Sequence, residues 1–389
     1  MTWVHASDER LDLAPDELVL LLGGKAANIA TMAVELGLPV PPACTITTEA
    51  CRAFLASGWP DGLDEELRSH VAGLEARVGR RFGDPADPLL VSVRSGAPRS
   101  MPGMMDTILN LGLNAATEAG LAAASRDPAF ARDCHERFRA TYRSVVGVEA
   151  PEDPWQQLRG AVEAVFRSWT SDRAATYRRV EGIPDDLGTG VTIQAMVFGN
   201  LGEDSGTGVL FTHNPATGED EPYGDVLFDA QGEDVVAGTH ATEPIAVLDT
   251  RLPTVAAELR RDAAILERHY RDCCDIEFTI ERGRLWLLQV RVGKRTPQAA
   301  LRIAVGVVER FEVVDVDHHQ AERLVRMQRP SHLALEHGPH PEAIAEARQR
   351  VGLRTALGLA QHAQAARDVL VVGAHALRKH DEQVFAERV

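Results

Sequence analysis

Residues 275–291, DIEFTIERGRLWLLQVR, alternate charged and amide side chains with apolar ones. Alternate residues of a strand share a face, so Asp275 and Glu277 point one way while Ile276 and Phe278 point the other. Gln289 and Arg291 likewise oppose Leu288 and Val290. A hairpin centred on Gly283 sets Glu277 opposite Gln289 and Asp275 opposite Arg291, gathering two carboxylates, an amide and a guanidinium on one face. Carboxylate and amide oxygens are the donors that hard divalent cations take, and Mg²⁺ commonly joins one or two carboxylates to substrate phosphates. The same alternation is equally the pattern of a salt-bridge ladder across a surface hairpin.

Two further stretches supply cationic groups. In 83–114, GDPADPLLVSVRSGAPRSMPGMMDTILNLGLN, an apolar strand-like run (Leu89 to Val93) delivers Arg94 and Ser95 into a Gly/Pro/Met loop. The guanidinium offers a rigid fork of donors that matches phosphate oxygens in pairs. In GGKAAN, residues 23–28, Lys25 stands at the mouth of a helix behind two glycines, where free N–H groups and the helix dipole favour an anion. The GxxxxGK[ST] spacing of a P-loop is absent, and a solvated lysine at a helix start is the competing reading. GEDSGTGVLFTHNP, residues 202–215, puts three glycines and two hydroxyls before a strand, either as a loop closing over phosphates or as an ordinary hairpin turn. In DAQGEDVVAG, residues 229–238, Gln231, Glu233 and Asp234 follow a strand and either border the same cleft or cap a helix.

The elements that must carry these groups are mixed. Residues 18–22, LVLLL, read as a strand-like piece, followed by a Gly-Gly turn, a helix over Ala26 to Leu36 and a stop at Pro39 to Pro42. Residues 115–180 have helical periodicity. From 190 to 300 the pattern turns strand-like, with Gly, Asn-Pro and Arg-Gly punctuation. Beyond Ala299 the chain is rich in Ala, Arg, Glu and His, reads as mainly helical, and holds one strand candidate at 368–372. The expected division is 1–114, 115–188 (a helical insert), 189–300 and 301–389.

A net charge of −16 disfavours nonspecific binding to nucleic acid or anionic membrane, so any anion site has to be local. No apolar run reaches the ~20 residues of a membrane helix, and no signal peptide is evident at the start, so a cytoplasmic location is expected. Five cysteines without a CxxC pair argue against a disulfide framework or zinc site. The tail histidines from His318 to His380 have no metal-ligand spacing.

Taken together, GGKAANIATM with LGLPVPP and TITTEAC, the 83–114 block, VFRSWTSDRAATYRRVEGIP, IQAMVFGNLGEDSGTGVLFT, AQGEDVVAG and DIEFTIERGRLWLLQVRVGKRT resemble, in this order, the nucleotide-binding region of pyruvate phosphate dikinase. The resemblance covers about residues 20 to 310. It implies an α/β ATP-grasp fold whose two lobes grip a nucleotide, here with a helical insert and a helical C-terminal extension. It implies ATP and Mg²⁺ as cofactors. Lys25 and Arg94 would hold ATP phosphates, and Asp275, Glu277, Gln289 and Arg291 would surround the triphosphate. Of these, Asp275, Glu277 and Gln289 would hold the metal, with Arg94, Glu277 and Arg291 acting in catalysis. Ser205, Gly206, Thr207 and Gly208 would form a glycine loop over the nucleotide.

The family enzyme converts ATP and phosphate to AMP and pyrophosphate, leaves a phosphoryl group on a histidine, and passes it to pyruvate. This sequence contains no phosphohistidine motif and no barrel for pyruvate, so it is not expected to run the complete reaction alone. His213 and His240 stand where the family typically has arginines, and the insert is shortened around Val146 to Asp153. The expected activity is an ATP-dependent phosphotransferase acting on a histidine of a separate protein. The alternatives are a stand-alone small-molecule kinase and a non-catalytic ATP-binding regulatory module.

Overall fold

The computed structural model describes residues 2–101, 103–237 and 241–311, with the side chains of 233, 236–237 and 305–311 excepted. His240, the tail histidines and the strand candidate at 368–372 lie outside the described residues. Among the described residues two compact units are present: one comprises the N-terminal segment up to Leu210, Gly224–Leu266 and Cys274–Arg291, and the other Phe211–Tyr223, Glu267–Cys273 and the described residues from Val292 to Phe311.

The first unit is built on an antiparallel five-stranded sheet in the order β1 (Val4–Ala6), β2 (Ala43–Ile46), β7 (Gly190–Ala195), β5 (Val91–Gly96), β6 (Thr107–Leu111). The short β3 (Arg81–Phe82) and β4 (Pro88–Leu89) pair in parallel. β7 is the last of these strands in the chain, yet it lies at the centre of this sheet. Residues 189–300 therefore do not form one separate lobe, because their first strand completes the sheet of the N-terminal segment. One face of the sheet is apolar. Val91, Val93, Val191, Ile193 and Ile108 pack there against α3 (Thr48–Ser57), α4 (Leu63–Val78) and α7 (Pro154–Ser168) in the main core.

The helices start where sequence caps them. Thr47 caps α3 by accepting from Ala50 N at 3.2 Å. Asn114 caps α5 (Ala115–Ser125), and the Asp-Pro pairs 127–128 and 153–154 open α6 (Pro128–Val146) and α7 with an aspartate cap and a proline in the first turn. Ser171 caps α8 (Asp172–Glu181). Residues 18–22 are a correction to the sequence reading: LVLLL belongs to helix α1 (Pro15–Leu22) and not to a strand. A short apolar run fits either element, and the deciding signals are Pro15 in the first turn and Glu17, whose carboxylate accepts from Ala14 N at 3.0 Å. α2 (Gly24–Ala30) follows and loosens into a π-type turn over Thr31–Glu35.

The second sheet has the order β10 (Glu243–Pro244), β9 (Tyr223–Phe228), β8 (Gly206–Phe211), β11 (Cys274–Glu281), β12 (Arg284–Val292). Helices α9 (Gly232–Ala237), α10 (Leu248–Arg251) and α11 (Pro253–Tyr270) intervene between its strands, and α12 (Pro297–Phe311) follows them. Within the second unit, Cys273, Ala299 and Ile303 make a small apolar cluster with Phe211 against it. All five cysteines are free and buried, and burial pushes the Cys44 thiol up to about 12 and the Cys51 thiol to about 11, which leaves both protonated and inert. Among the described residues no helix is long and apolar enough to cross a membrane.

Candidate nucleotide site

Opposite its apolar face, the first sheet presents polar groups. Strand pairing aligns Thr45, Thr192, Arg94 and Thr107 in one row across β2, β7, β5 and β6. Side chains of directly paired residues share a face. Thr45 and Thr192 are buried and their hydroxyls lie 3.3 Å apart, while Gln194, two residues on, donates to Pro41 O at 3.1 Å. A buried polar row is costly unless its groups are satisfied, and only Arg94 in this row reaches away from the sheet. Its Nη2 donates to Glu277 Oε2 at 3.4 Å, and its buried Nε has no partner.

Lys25 is brought beside Arg94 by three glycines. Gly23 has φ +82°, and a Cβ there would stand 1.6 Å from Gly96 O. Gly96 pairs with Gly190 across β5 and β7, and a Cβ on Gly190 would stand 2.2 Å from Leu22 O. The α1–α2 junction therefore lies directly on the end of these two strands, with Gly24 N donating to Ala97 O at 3.1 Å. Among the described residues Lys25, in the first turn of α2, makes no ion pair or hydrogen bond. Burial, reinforced by the positive charges of Arg94 and Arg291 and only partly offset by Glu277, lowers its ammonium to about 8. One turn further on, Asn28 Nδ2 donates to Val290 O at 2.9 Å, and Leu287 N donates to Pro39 O at 2.8 Å. These two bonds fasten the edge strand β12 to the N-terminal segment.

β11 and β12 are joined by a two-residue turn, Arg282-Gly283, in which both residues have positive φ, 47° and 71°. The four residues singled out on this hairpin meet. Gln289 Nε2 donates to Glu277 Oε1 at 3.3 Å, and Arg291 Nε donates to Asp275 Oδ2 at 2.6 Å. Arg291 Nη2 is 3.9 Å from Glu277 Oε1. Asp275 is buried with Oδ1 unpartnered, and burial raises its carboxyl against the opposing pull of Arg291. The cluster holds three cations, Lys25, Arg94 and Arg291, against two carboxylates, Asp275 and Glu277. Such an excess of positive charge fits a polyanion. For a divalent cation the fit is to a shared site: Asp275 Oδ1, the Glu277 carboxylate and the Gln289 carbonyl oxygen are hard donors, and phosphate oxygens would complete the shell. Among the described residues no group of three or more His, Cys, Asp or Glu converges as an all-protein metal cage.

Ser205–Gly208 is a second correction. The exposed part of the turn lies earlier, over 202–204, and Gly206, Thr207 and Gly208 open strand β8 in the interior of the second sheet. Ser205 Oγ accepts from Arg282 N at 2.9 Å, and Thr207 Oγ1 donates to Phe278 O at 3.1 Å. A Cβ on Gly208 would stand 2.5 Å from Asp225 O, so this glycine serves close packing between neighbouring strands. These hydroxyls and glycines are committed to the sheet and do not form a free loop.

Gln231 and Asp234 enter a buried polar network. Asp234 Oδ2 accepts from Gln231 N at 2.9 Å at the start of α9, and its Oδ1 pairs with Arg137 Nη1 at 2.7 Å. Gln231 Oε1 accepts from Asn110 Nδ2 at 3.2 Å, where Asn110 sits in a left-handed conformation with φ 58°. In the second unit, His213 is buried with Nε2 3.2 Å from Glu267 Oε1. The sequence reading missed Asn28, Thr45, Thr192 and Gln194. The alternations Val-Ser-Val-Arg in β5 and Val-Thr-Ile-Gln in β7 carry the signal for the polar row.

A family model described as pyruvate phosphate dikinase, AMP/ATP-binding domain, matches residues 19–61, 59–257 and 249–309. The pyruvate, phosphate dikinase of Rhizobium meliloti (strain 1021) is 46% identical over 349 residues, covering 74% of this chain and 39% of its own length. That of Clostridium symbiosum is 42% identical over 382 residues, covering 85% of this chain and 43% of its own. The chloroplastic pyruvate, phosphate dikinase 1 of Arabidopsis thaliana is 44% identical over 362 residues, covering 80% of this chain and 37% of its own. The chain thus spans about two fifths of the length of these relatives.

Proposed function

The chain belongs to the family of the pyruvate phosphate dikinase AMP/ATP-binding domain, an ATP-grasp fold, and on that premise we propose that it binds Mg²⁺-ATP and transfers a phosphoryl group to a histidine outside these 389 residues, carried by a separate protein. The observation that carries this reading is the gathering of Lys25, Arg94 and Arg291: Lys25 is largely withdrawn from water, its ammonium lowered to about 8 by burial and by Arg94 with only a partial offset from Glu277, so a bound polyphosphate supplies the negative charge this cluster lacks. Lys25 and Arg94 grip the phosphates, Arg94 with its free Nε and its fork of Nη donors. Glu277, Gln289 and Asp275 hold Mg²⁺, which supplies charge neutralisation on the phosphate oxygens. Arg291 adds positive charge beside Glu277 as negative charge develops on the transferring group.

In the proposed reaction the β-phosphoryl group ends on the acceptor histidine and AMP is released, while the γ-phosphoryl group leaves with inorganic phosphate as pyrophosphate. The test is to incubate the purified protein with Mg²⁺-ATP, with and without phosphate, and to resolve the nucleotide products. AMP formation that depends on phosphate, with label from β-³²P-ATP appearing on a histidyl protein, is the expected result. ADP formed with a metabolite as acceptor overturns it in favour of a small-molecule kinase. Tight ATP binding with no turnover in the presence of candidate histidyl proteins overturns it in favour of a binding module.

A further inference from the structure

The motif VFRSWTSDRAATYRRVEGIP has no part in the site described above, yet its side chains converge on the loop that belongs to Arg94. The pairing of β5 with β6 ends at Arg94 opposite Thr107, and β5 itself ends at Gly96, so the intervening loop is the connection that closes on the Arg94 pair. Its apolar residues Met101, Met104 and Met105 do not join the main core. They form a separate cluster with Trp169 and Ala174, which is how a long loop is commonly pinned.

Trp169 is fully buried and is held from three sides. Its Nε1 donates to Asp185 O at 2.9 Å, the guanidinium of Arg178 lies 4.2 Å above its ring, and Arg178 Nη1 donates to its carbonyl oxygen. Arg178 is itself buried and donates through Nε to Asp185 Oδ1 at 2.8 Å. Burying a guanidinium is expensive unless its donors are used, and here all three nitrogens are engaged: Nη1 on the Trp169 carbonyl, and Nε and Nη2 on the carboxylate of Asp185, whose own carbonyl accepts from Trp169 Nε1. From the first turn of α8, Arg173 Nη2 reaches the loop directly, donating to Met104 O at 3.3 Å and Asp106 Oδ1 at 3.4 Å.

We infer that Trp169, Arg178 and Arg173 form a clamp that positions the β5–β6 loop, and through it the register of Arg94, for nucleotide binding. They are positioning residues, since none of them touches Lys25, Arg94 or Glu277. The inference rests on the ATP-binding reading of Arg94, but its first readout does not.

Arg99 is exposed in this loop, so trypsin cleavage at Arg99–Ser100 in the full chain without nucleotide reports how often the loop leaves the clamp. The expected result is cleavage about tenfold faster in Arg173→Ala and in Arg178→Lys, the change that follows loss of one charge-assisted hydrogen bond, with cleavage elsewhere unchanged. Because Arg173 is largely exposed, its variant stays folded even if Arg178→Lys does not. Unchanged cleavage at Arg99 in folded variants, or equal acceleration at every site, overturns the clamp. The second readout is affinity for Mg²⁺-ATP, expected to weaken several-fold in the same variants. Variants with a loosened loop and wild-type affinity overturn the positioning role. Failure of the unmodified protein to bind ATP overturns the nucleotide reading instead, and the clamp is then judged by its cleavage rates.

Discussion

Arg94 and Glu277 stand on different sheets, and the Nη2–Oε2 contact of 3.4 Å is where the polar face of the first sheet meets the β11–β12 hairpin. The contact is long for a charge-assisted bond and leaves Arg94 Nε unpartnered, so the guanidinium keeps capacity for an anion. Arg94→Ala is therefore expected to weaken Mg²⁺-ATP binding by about 10- to 100-fold, the range for losing hydrogen bonds to a charged group. Arg94→Lys should restore little of it, because an ammonium lacks the planar fork. Calorimetric titration of the folded variants measures this, and wild-type affinity in Arg94→Ala removes Arg94 from the site.

Glu277 accepts from both Arg94 and Gln289, so replacing it with glutamine preserves the shape of the cluster and removes one negative charge. ATP binding should change only a few-fold while phosphoryl transfer falls by about 100-fold, as when a metal-holding or charge-placing group is lost from a reaction that depends on positioning. Product formation by Glu277→Gln at the wild-type rate would leave only a binding role for this carboxylate.

Much of this site is legible in the sequence because strands obey a two-residue period. The alternation of Asp275, Glu277, Gln289 and Arg291 is enough to put all four on one face, and their contacts follow. The joining of Lys25 to Arg94 is not legible in the same way. It depends on Gly23, Gly96 and Gly190, which come from three distant segments and look like unrelated turn residues until the chain is folded. Ser205–Gly208 misleads for the converse reason: a Gly-rich stretch marks close backbone approach, and here the partners are neighbouring strands. Residues 190–195 show a third limit, since periodicity identifies a strand but not the sheet that takes it.

Gly23 gives a direct test of the glycine contact. Its φ of +82° disfavours any side chain, and the added Cβ would meet the backbone oxygen of Gly96, which cannot rotate away. Gly23→Ala should lower stability by more than ~3 kcal/mol, at the upper end of what single substitutions do. Urea unfolding checks this. A soluble Gly23→Ala protein with an unchanged midpoint would show that the α1–α2 junction does not sit on β5 as described.

Lys25 links stability, pH and ligand binding. Its folded-state value of about 8 lies below the ordinary 10.5, so the folded protein releases this proton before the unfolded chain does. At pH 7 the ammonium is charged in both states and the full cost of burying it beside Arg94 is present. That cost is relieved as pH rises from about 8 towards 10.5. Lys25→Met is accordingly expected to stabilise the nucleotide-free protein at pH 7, by ~1–2 kcal/mol after allowance for partial exposure. The advantage should shrink across that window and vanish near its upper end. Binding runs the other way. The triphosphate needs the charged lysine, so wild-type affinity for Mg²⁺-ATP should hold below pH 8 and decline above it. In Lys25→Met the affinity should be weaker throughout and the decline absent. Thermal unfolding and ATP titration over pH 7 to 10 on both proteins decide the matter. A destabilised Lys25→Met at pH 7, or an identical pH profile of binding in the two proteins, would mean that Lys25 carries its charge for the fold and not for the nucleotide.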